Sequence, residues 1–359
     1  MLMFELKTKL YSGSGEFLNL AKHIKELGSS PLIIIDAHAY QHSYISTVVD
    51  SLKKEEGIKY VKIFTYDYGE PSYDLLSQHR NISDCHDCVV AIGGGSVIDF
   101  AKGIAFLETN PGPPLSYRGF PDICSPPLPL IAVPSVAGTA SEVTYNAVFI
   151  DKRSKKKLGI NSRLNYPAIA IHDPCVTMTA PKSVTINSAV DALVHASESL
   201  VCKQSTPLTR VFSNAALEKI LVALGDISTN DENKETYSTL LLGSYLAGIG
   251  LMNSGSGIAG GLSYVLGVHC NIPHGTAGGI FLPHIIKYNE EHDIWYGKRL
   301  HLHKPIFSLF KQLKVPTDLK QYTVPKSVFD DIENLQGAFD QNPIPYTIEQ
   351  AKELVEALL

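Results

Sequence analysis

The amino-acid sequence predicts two domains, an α/β domain followed by an all-α domain. In the first half of the chain, short apolar runs alternate with amphipathic stretches, which is typical of a parallel sheet covered by helices on both faces. After about Pro181 the apolar residues recur with helical periodicity almost throughout. A chain of 359 residues is also long for a single core. We therefore predict one domain over residues 1–178 and a second over 179–359.

Each predicted strand of the first domain is a short apolar run. These runs span 32–36, 60–64, 88–92, 130–134 and 168–171, and the helices predicted between them span 44–54, 73–79 and 95–106. Residues 147–150 and 158–160 indicate a hairpin, whereas the proline-rich segment 110–129 indicates a long surface loop. In the second domain, helices are predicted over 183–201, 208–224 and 237–251.

Composition excludes several classes of protein. With 44% hydrophobic and 19% charged residues, the chain is typical of a packed globular protein rather than a disordered one. A net charge of −5 without a dominant basic face argues against nucleic-acid binding. No apolar run is long enough to span a membrane, and no signal peptide is evident at the N-terminus. Together with six scattered cysteines, these features predict a soluble, cytoplasmic protein.

The most informative segment is Gly93-Gly94-Gly95-Ser96, which joins a predicted strand to a predicted helix. Glycines let the backbone approach a phosphate closely, and the first turn of a helix offers unpaired N–H groups and a positive dipole end. The same residues would also suit an ordinary strand-to-helix turn, and the usual dinucleotide motif G-x-G-x-x-G is absent. The segment therefore predicts an anion site.

Two further segments of the first domain carry groups that suit a nucleotide. Asp36 ends a predicted strand, where a carboxylate can accept hydrogen bonds from adenosine ribose hydroxyls and favour NAD over NADP; a helix N-cap is the alternative role. Residues 134–144 follow another strand and are rich in small and hydroxyl side chains, among them Ser135, Thr139 and Ser141. Such groups bind phosphate oxygens, although they also form simple capped turns.

In the second domain, Asp191 and His195 are spaced four residues apart on one face of an apolar helix. Burying a carboxylate and an imidazole is unfavourable unless the two are paired with each other or bound to a cation. A divalent metal needs more ligands, and His274, in a Pro-His-Gly segment at a predicted helix start, offers one. Both a hydrogen-bonded pair and a metal site fit the pattern.

Taken together, these segments resemble the iron-containing (group III) alcohol dehydrogenase family, which is related to dehydroquinate synthase and glycerol dehydrogenase. The matching motifs occur in the family's order, at 93–102, 134–144, 173–174, 191–195, 261–266, 273–275 and 282–289. The resemblance implies the dehydroquinate synthase-like fold, with an N-terminal nucleotide-binding α/β domain, a helical domain and a cleft between them. It also implies a homodimer.

The resemblance implies roles for individual residues. Gly93, Gly94, Gly95 and Ser96 would hold the pyrophosphate of NAD or NADP, and Asp36 would lie at the adenosine ribose. The phosphate and nicotinamide region would be lined by Asp99, Ser135, Thr139 and Ser141, with Lys157 nearby. A divalent metal, iron or zinc, would be bound by Asp191, His195 and His274 and would polarise the alcohol oxygen during hydride transfer.

The chain departs from the family pattern at two positions. Gly260 stands where the family usually has a further histidine ligand, and Tyr264 stands where it often has a histidine near the nicotinamide. Three explanations remain for Gly260: an open site with three protein ligands, a substitute ligand such as His269, or weak or lost metal binding. Tyr264 suits either a proton relay or a packing aromatic.

We therefore expect an NAD(P)-dependent, metal-assisted alcohol dehydrogenase or aldehyde reductase acting on a primary alcohol. Similarity to a branch that oxidises the sugar acid Kdo suggests that substrate, with Arg118 either pairing with its carboxylate or lying on the surface. A simple aldehyde or polyol reductase and a phosphonate-aldehyde reductase are the other candidates. The alternative from a different class is a metal-free family member with a binding or regulatory role.

Overall fold

The computed structural model describes residues 4–123, 125–292 and 301–359. This part of the chain divides into two compact units. One unit spans Leu6–Pro181 and contains a parallel β-sheet; the other spans Lys182–Leu359, includes Glu5 and is helical. The predicted fold class, an α/β domain followed by an all-α domain, is confirmed.

The first unit is built on one parallel sheet. In chain order the strands are β1 (Lys9–Ser12), β2 (Pro31–Asp36), β3 (Lys62–Tyr66), β4 (Cys88–Gly93), β5 (Leu130–Pro134), β6 (Ile150–Asp151), β7 (Lys156–Lys157) and β8 (Ile169–His172). The parallel sheet has the order β1-β8-β5-β4-β2-β3, whereas β6 and β7 pair with each other in antiparallel orientation.

Helices cover both faces of this sheet. They are α1 (Leu20–Leu27), α2 (Ala37–Tyr40), α3 (Ser43–Ser51), α4 (Tyr73–Gln78), α5 (Gly95–Thr109) and α6 (Pro174–Thr177). Successive strand residues point to opposite faces, so Leu32 and Ile34 join one apolar core with α4 and α5, while Ile33 and Ile35 join another with α1 and α3. This double burial explains why the central strands are continuous apolar runs.

The strand order creates a switch point between β2 and β4. From β2 the chain continues to β3 on one side, and from β4 it continues to β5 on the other side. Because the strands are parallel, Asp36 and Gly93 lie at the carboxyl ends of these two neighbouring strands. Ligands of open α/β sheets bind at such a point, outside the carboxyl ends of the strands.

The second unit consists of helices. They are α7 (Lys182–Val201), α8 (Pro207–Thr229), α9 (Lys234–Ser254), α10 (Ile258–Cys270), α11 (His274–His292), α12 (His303–Leu313), α13 (Lys326–Ile332), α14 (Gln336–Phe339) and α15 (Ile348–Leu358). Helix α7 is central, since it packs against α8, α9, α10 and α11. Within the described residues, no helix combines the length and the apolar character needed to cross a bilayer.

Helix α11 lies unusually close to α7 at its N-terminal end. A Cβ atom on Gly275 would lie 2.9 Å from the carbonyl carbon of Asn187 and nearer still to its oxygen, and one on Gly279 would lie 2.6 Å from Val190 Cγ1. The Asn187 side chain accepts hydrogen bonds from the backbone N–H and the hydroxyl of Thr276, at 2.7 and 2.9 Å. Glycine and these two hydrogen bonds therefore fix the first turn of α11 against α7.

Replacing Gly275 by alanine is expected to lower the free energy of unfolding by about 1–3 kcal/mol, because the added methyl group has to displace α11 from α7. Urea unfolding followed by circular dichroism measures the change. Gly225→Ala is the matched control, since a Cβ there would meet no neighbouring group within 4 Å. Alanine at this position inside α8 is expected to raise stability by up to about 1 kcal/mol. Equal losses in both variants would contradict the close-approach argument.

Candidate cofactor and metal sites

The triple glycine forms the junction between β4 and α5. Strand β4 ends at Gly93, Gly94 is the extended N-cap residue, and α5 begins at Gly95. The Gly94 carbonyl accepts the N–H groups of Val97 and Ile98, both at 3.1 Å. The N–H groups of Gly95 and Ser96 lie in the first turn of α5, where the helix has no carbonyl group to accept their hydrogen bonds. The turn therefore presents backbone donors and the positive end of a helix dipole to an anion.

The loop after β5 packs directly onto this turn. The N–H of Ser135 donates to the Gly93 carbonyl at 3.0 Å. A Cβ on Gly95 would lie 2.6 Å from both Thr139 Cγ2 and Thr139 Oγ1, so a larger residue would push the loop away. The structure thus brings Ser135 and Thr139 next to the triple glycine. Their contact with a cofactor phosphate stays a prediction.

Asp99 and Ser141 form a buried network behind this turn. Ser141 Oγ donates to Asp99 Oδ1 at 2.5 Å and accepts a hydrogen bond from Lys102 Nζ at 2.8 Å. The Lys102 amine also donates to the carbonyl oxygens of Thr144 and Asn146, at 2.9 and 2.7 Å. Burial raises the pKa of Asp99 and lowers the pKa of Lys102 to about 8. These residues brace the loop, and their direct contact with a cofactor stays a prediction.

Asp36 and Lys157 each have a partner within the protein. Asp36 Oδ1 accepts the N–H of Ala39 at 2.9 Å and so caps α2, as the alternative interpretation proposed. Its carboxylate nevertheless stays partly exposed at the switch point. Lys157 Nζ lies 2.8 Å from Glu70 Oε1, and a phosphate would have to compete with this carboxylate.

Asp191, His195 and His274 converge in the helical unit. Asp191 Oδ1 lies 3.7 Å from Nε2 of His195 and 3.7 Å from Nε2 of His274, and one ligand atom from each residue falls within 4.8 Å of the others. At 3.7 Å neither contact is a hydrogen bond, although Asp191 is only 4% exposed. Among the described residues, nothing hydrogen-bonds to the buried His195 Nδ1. A buried carboxylate facing two imidazoles at this spacing suits iron or zinc.

The structure explains why residue 260 has no side chain. The Glu198 carboxylate, one turn after His195 on α7, accepts the N–H groups of Gly257 and Ala259 at 2.8 and 2.7 Å and the hydroxyl of Ser256 at 2.7 Å. A Cβ on Gly260 would lie 2.9 Å from Glu198 Oε2 and would overlap Ser256 Oγ. Burial raises the pKa of Glu198, and these hydrogen bonds oppose that rise.

Glu198 was missed in the sequence, although a signal was present. It lies seven residues after Asp191 and three after His195, on the same apolar helix. A third ionisable residue on a buried helix face requires a partner. Its partners are backbone N–H groups more than fifty residues away in the chain, which no local pattern reveals.

The remaining predicted site residues are Tyr264, His269 and Arg118, and only one of them lies near the three candidate metal ligands. The Tyr264 ring lies edge-on to the His274 ring, with centroids 4.9 Å apart, so Tyr264 lies beside the cluster of Asp191, His195 and His274. His269 does not, because its Nε2 is 2.6 Å from Asp331 Oδ2 and so it is no substitute ligand. Arg118 pairs with Asp151 at 3.3 Å, which weakens the case that it binds a substrate carboxylate.

Comparisons with known protein families match both halves of the chain. Residues 7–174 match the family described as iron-containing alcohol dehydrogenase, and residues 185–359 match the C-terminal region of the Fe-containing alcohol dehydrogenase family. NAD-dependent methanol dehydrogenase from Bacillus methanolicus is 30% identical, over 77% of this chain and 73% of that protein. Lactaldehyde reductase from Escherichia coli is 30% identical, over 80% and 75% of the two chains.

Solved structures share the fold. A crystal structure of 1,3-propanediol oxidoreductase has a TM-score of 0.91 and 23% identity, covering 100% of both chains. Sulfoacetaldehyde reductase from Bifidobacterium kashiwanohense, solved in complex with NAD+, has a TM-score of 0.88 and 21% identity, covering 100% of this chain and 98% of that one. At this level of identity the likeness concerns the fold alone.

Lys102→Met is expected to lower the free energy of unfolding by about 3–5 kcal/mol, because it leaves the buried Asp99 carboxylate without its counter-charge. The two carbonyl groups that accept from Lys102 also lose their donor. Denaturant unfolding measures this loss. Lys182→Met is the control, since Lys182 pairs with Glu232 on the surface, and a change of about 1 kcal/mol or less is expected. Similar effects of the two substitutions would contradict the bracing role of Lys102.

Proposed function

The chain belongs to the iron-containing alcohol dehydrogenase family, and we propose that it is an NAD-dependent, metal-assisted dehydrogenase of a small primary alcohol. As a member of this family it is an oxidoreductase that acts on CH–OH groups. The observation that carries the finer proposal is the convergence of Asp191, His195 and His274 on one point. Small alcohols or aldehydes also appear in the names of its relatives, which include methanol dehydrogenase and lactaldehyde reductase.

Three side chains of the helical unit would hold the metal. Asp191 contributes the only negative charge of the cluster, and the imidazoles of His195 and His274 complete a set of three ligands. A bound divalent cation supplies Lewis-acid polarisation of the substrate hydroxyl. Gly260 adds no side chain, because Glu198 and Ser256 fill the space beside it, so a position stays open for substrate.

Tyr264 is the residue that we propose handles the hydroxyl proton. Its ring packs edge-on against His274, and its phenol can both donate and accept a hydrogen bond. Oxidation of an alcohol moves a hydride from carbon to the nicotinamide and releases the hydroxyl proton. A phenol beside the ligand His274 can relay that proton, accepting it on the phenol oxygen while it donates its own proton to solvent.

The first unit would bind the cofactor at its switch point. The backbone N–H groups of Gly95 and Ser96 would hold the pyrophosphate, with Ser135 and Thr139 alongside. The Asp36 carboxylate at the end of β2 would accept ribose hydroxyls and repel a 2′-phosphate, which favours NAD. One relative is named as NAD-dependent, and one structural neighbour was solved with NAD+. A sugar acid such as Kdo stays a predicted substrate to be tested.

His195→Ala is expected to abolish stoichiometric metal binding and metal-dependent turnover, while NAD binding stays unchanged because the cofactor contacts lie in the other unit. Metal analysis, nicotinamide absorbance assays and NAD titration measure the three properties. His292→Ala, at the exposed C-terminal end of α11, is the control and should leave all of them intact.

The assay panel for the parent protein should contain short alcohols, the matching aldehydes and sugar acids. Metal uptake with turnover of at least one compound supports the proposal. Turnover by His195→Ala at the parent's rate would remove the cluster from the mechanism. A parent protein that takes up no metal and turns over no compound would instead favour a metal-free binding or regulatory role.

Asp36→Ser is expected to weaken the preference for NAD over NADP by about tenfold or more, because the substitution removes the charge that repels a 2′-phosphate. Serine can still cap α2, so the helix start is kept. Dissociation constants of both cofactors measure the preference. Asp50→Ser, on the exposed side of α3, is the control. Unchanged discrimination in Asp36→Ser would remove Asp36 from the cofactor site.

A further inference from the structure

We propose that Ser327 is a second reactive site in the helical unit, a nucleophilic hydroxyl that takes an acyl group from an activated carboxylic ester. Three side chains carry this inference. Ser327 Oγ lies 2.9 Å from Nδ1 of His269, and Nε2 of His269 lies 2.6 Å from Oδ2 of Asp331. None of the three belongs to the candidate metal cluster, so the inference is independent of the alcohol dehydrogenase function.

Helix geometry brings these side chains together. Ser327 and Asp331 are four residues apart on α13, so they lie on the same face of that helix. His269 lies in the last turn of α10, and α13 packs against α10. The imidazole ring therefore lies between the two side chains, with one of them at each ring nitrogen.

The Asp331 carboxylate determines which ring nitrogen of a neutral His269 carries the proton. An ionised carboxylate can only accept a hydrogen bond, so the imidazole donates to Asp331 from its Nε2–H. Nδ1 then has a free lone pair, and the Ser327 hydroxyl donates to it. A hydroxyl that donates to an imidazole, with the imidazole oriented by a carboxylate, is the arrangement that activates a serine nucleophile.

The Ser327 hydroxyl is not used for helix capping. Helix α13 has Pro325 at its N-cap and no hydrogen bond from a capping side chain. Across residues 4–123, 125–292 and 301–359, the one hydrogen bond of this hydroxyl is to His269. The His269 side chain is 7% exposed, whereas Ser327 is half-buried, so the base is shielded from water while an ester can reach the nucleophile.

The reaction balances with these groups and one ester molecule. Ser327 Oγ forms a bond to the ester carbonyl carbon, and its proton passes to His269 Nδ1. The bond from that carbon to the leaving oxygen breaks, and the leaving alcohol takes the electron pair and then the proton from Nδ1. The products are O-acylated Ser327 and the free alcohol. Asp331 stabilises the imidazolium that exists between the two proton transfers.

The test uses full-length protein and p-nitrophenyl acetate, an activated ester. Absorbance measures the release of p-nitrophenolate, and peptide mass spectrometry locates the acetylated residues over time. Ser327 is expected to be acetylated at least about a hundredfold faster than Ser228, because general-base catalysis contributes about 10²–10⁴-fold. Ser228 is the matched internal control, since it is also half-buried on a helix of this unit but donates to the Gly225 carbonyl at 2.7 Å.

Two substitutions test the activation of Ser327. His269→Gln removes the base and should lower the acetylation rate of Ser327 to that of Ser228. Asp331→Asn removes the charge that stabilises the imidazolium and should lower the rate by about tenfold or more. If His269→Gln does not fold, Asp331→Asn still decides the question, because Asp331 is half-buried. Ser327→Ala should lose the fast phase of p-nitrophenolate release and keep metal uptake and alcohol turnover.

The outcomes separate this inference from the proposed function. Acetylation of lysines or of His269, with Ser327 reacting no faster than Ser228, overturns the inference. Acetylation of Ser327 at the parent's rate in His269→Gln and Asp331→Asn also overturns it, since the two side chains would then serve only to join α10 to α13. Fast acetylation of Ser327 that depends on His269, in a protein that takes up no metal and oxidises no alcohol, supports the inference and contradicts the proposed function.

Discussion

The close approach of α11 to α7 is the constraint on which the candidate metal site depends. Packed helices usually lie 8–10 Å apart, with side chains filling the space between them. At Gly275 no side chain fits, and the start of α11 lies against the Asn187 carbonyl. The Asn187 side chain compensates by accepting two hydrogen bonds from Thr276. As a result the first residue of α11, His274, faces Asp191, which a more distant helix could not achieve.

The candidate cofactor site of the first unit follows the same principle. Gly95 has no room for a Cβ beside Thr139, so the loop after β5 lies directly on the start of α5. Here a buried polar side chain stabilises the contact, since Lys102 donates to the loop at Ser141 and at two carbonyl groups. Each site therefore combines a glycine that permits close approach with a polar side chain, half-buried Asn187 or buried Lys102, that hydrogen-bonds to the groups left there.

The sequence predicted the parts of this structure that depend on local pattern. Strands β4 and β5 lie where continuous apolar runs occur, whereas edge strand β1 was missed because Lys9–Ser12 has no such run. The predicted hairpin forms, but its two paired strands lie closer to the turn than predicted, at Ile150–Asp151 and Lys156–Lys157. Hydrogen bonds from the N–H of Leu158 to the Phe149 carbonyl and from the N–H of Ile160 to the Ala147 carbonyl extend it into the predicted segments. Contacts between distant segments, such as that of Glu198 with Gly257, have no local pattern from which to predict them.

The glycine at position 260 is best understood together with Glu198. A histidine ligand there would require the Glu198 carboxylate to leave, and the first turn of α10 would then lose the acceptor for its N–H groups and the negative charge that its dipole favours. Keeping Glu198 anchors α10, and with it Ser263 and Tyr264 beside His274. With Gly260 the chain lacks one possible metal ligand, but helix α10 stays fixed. A metal ion that must also bind a substrate oxygen can act as a Lewis acid with three protein ligands.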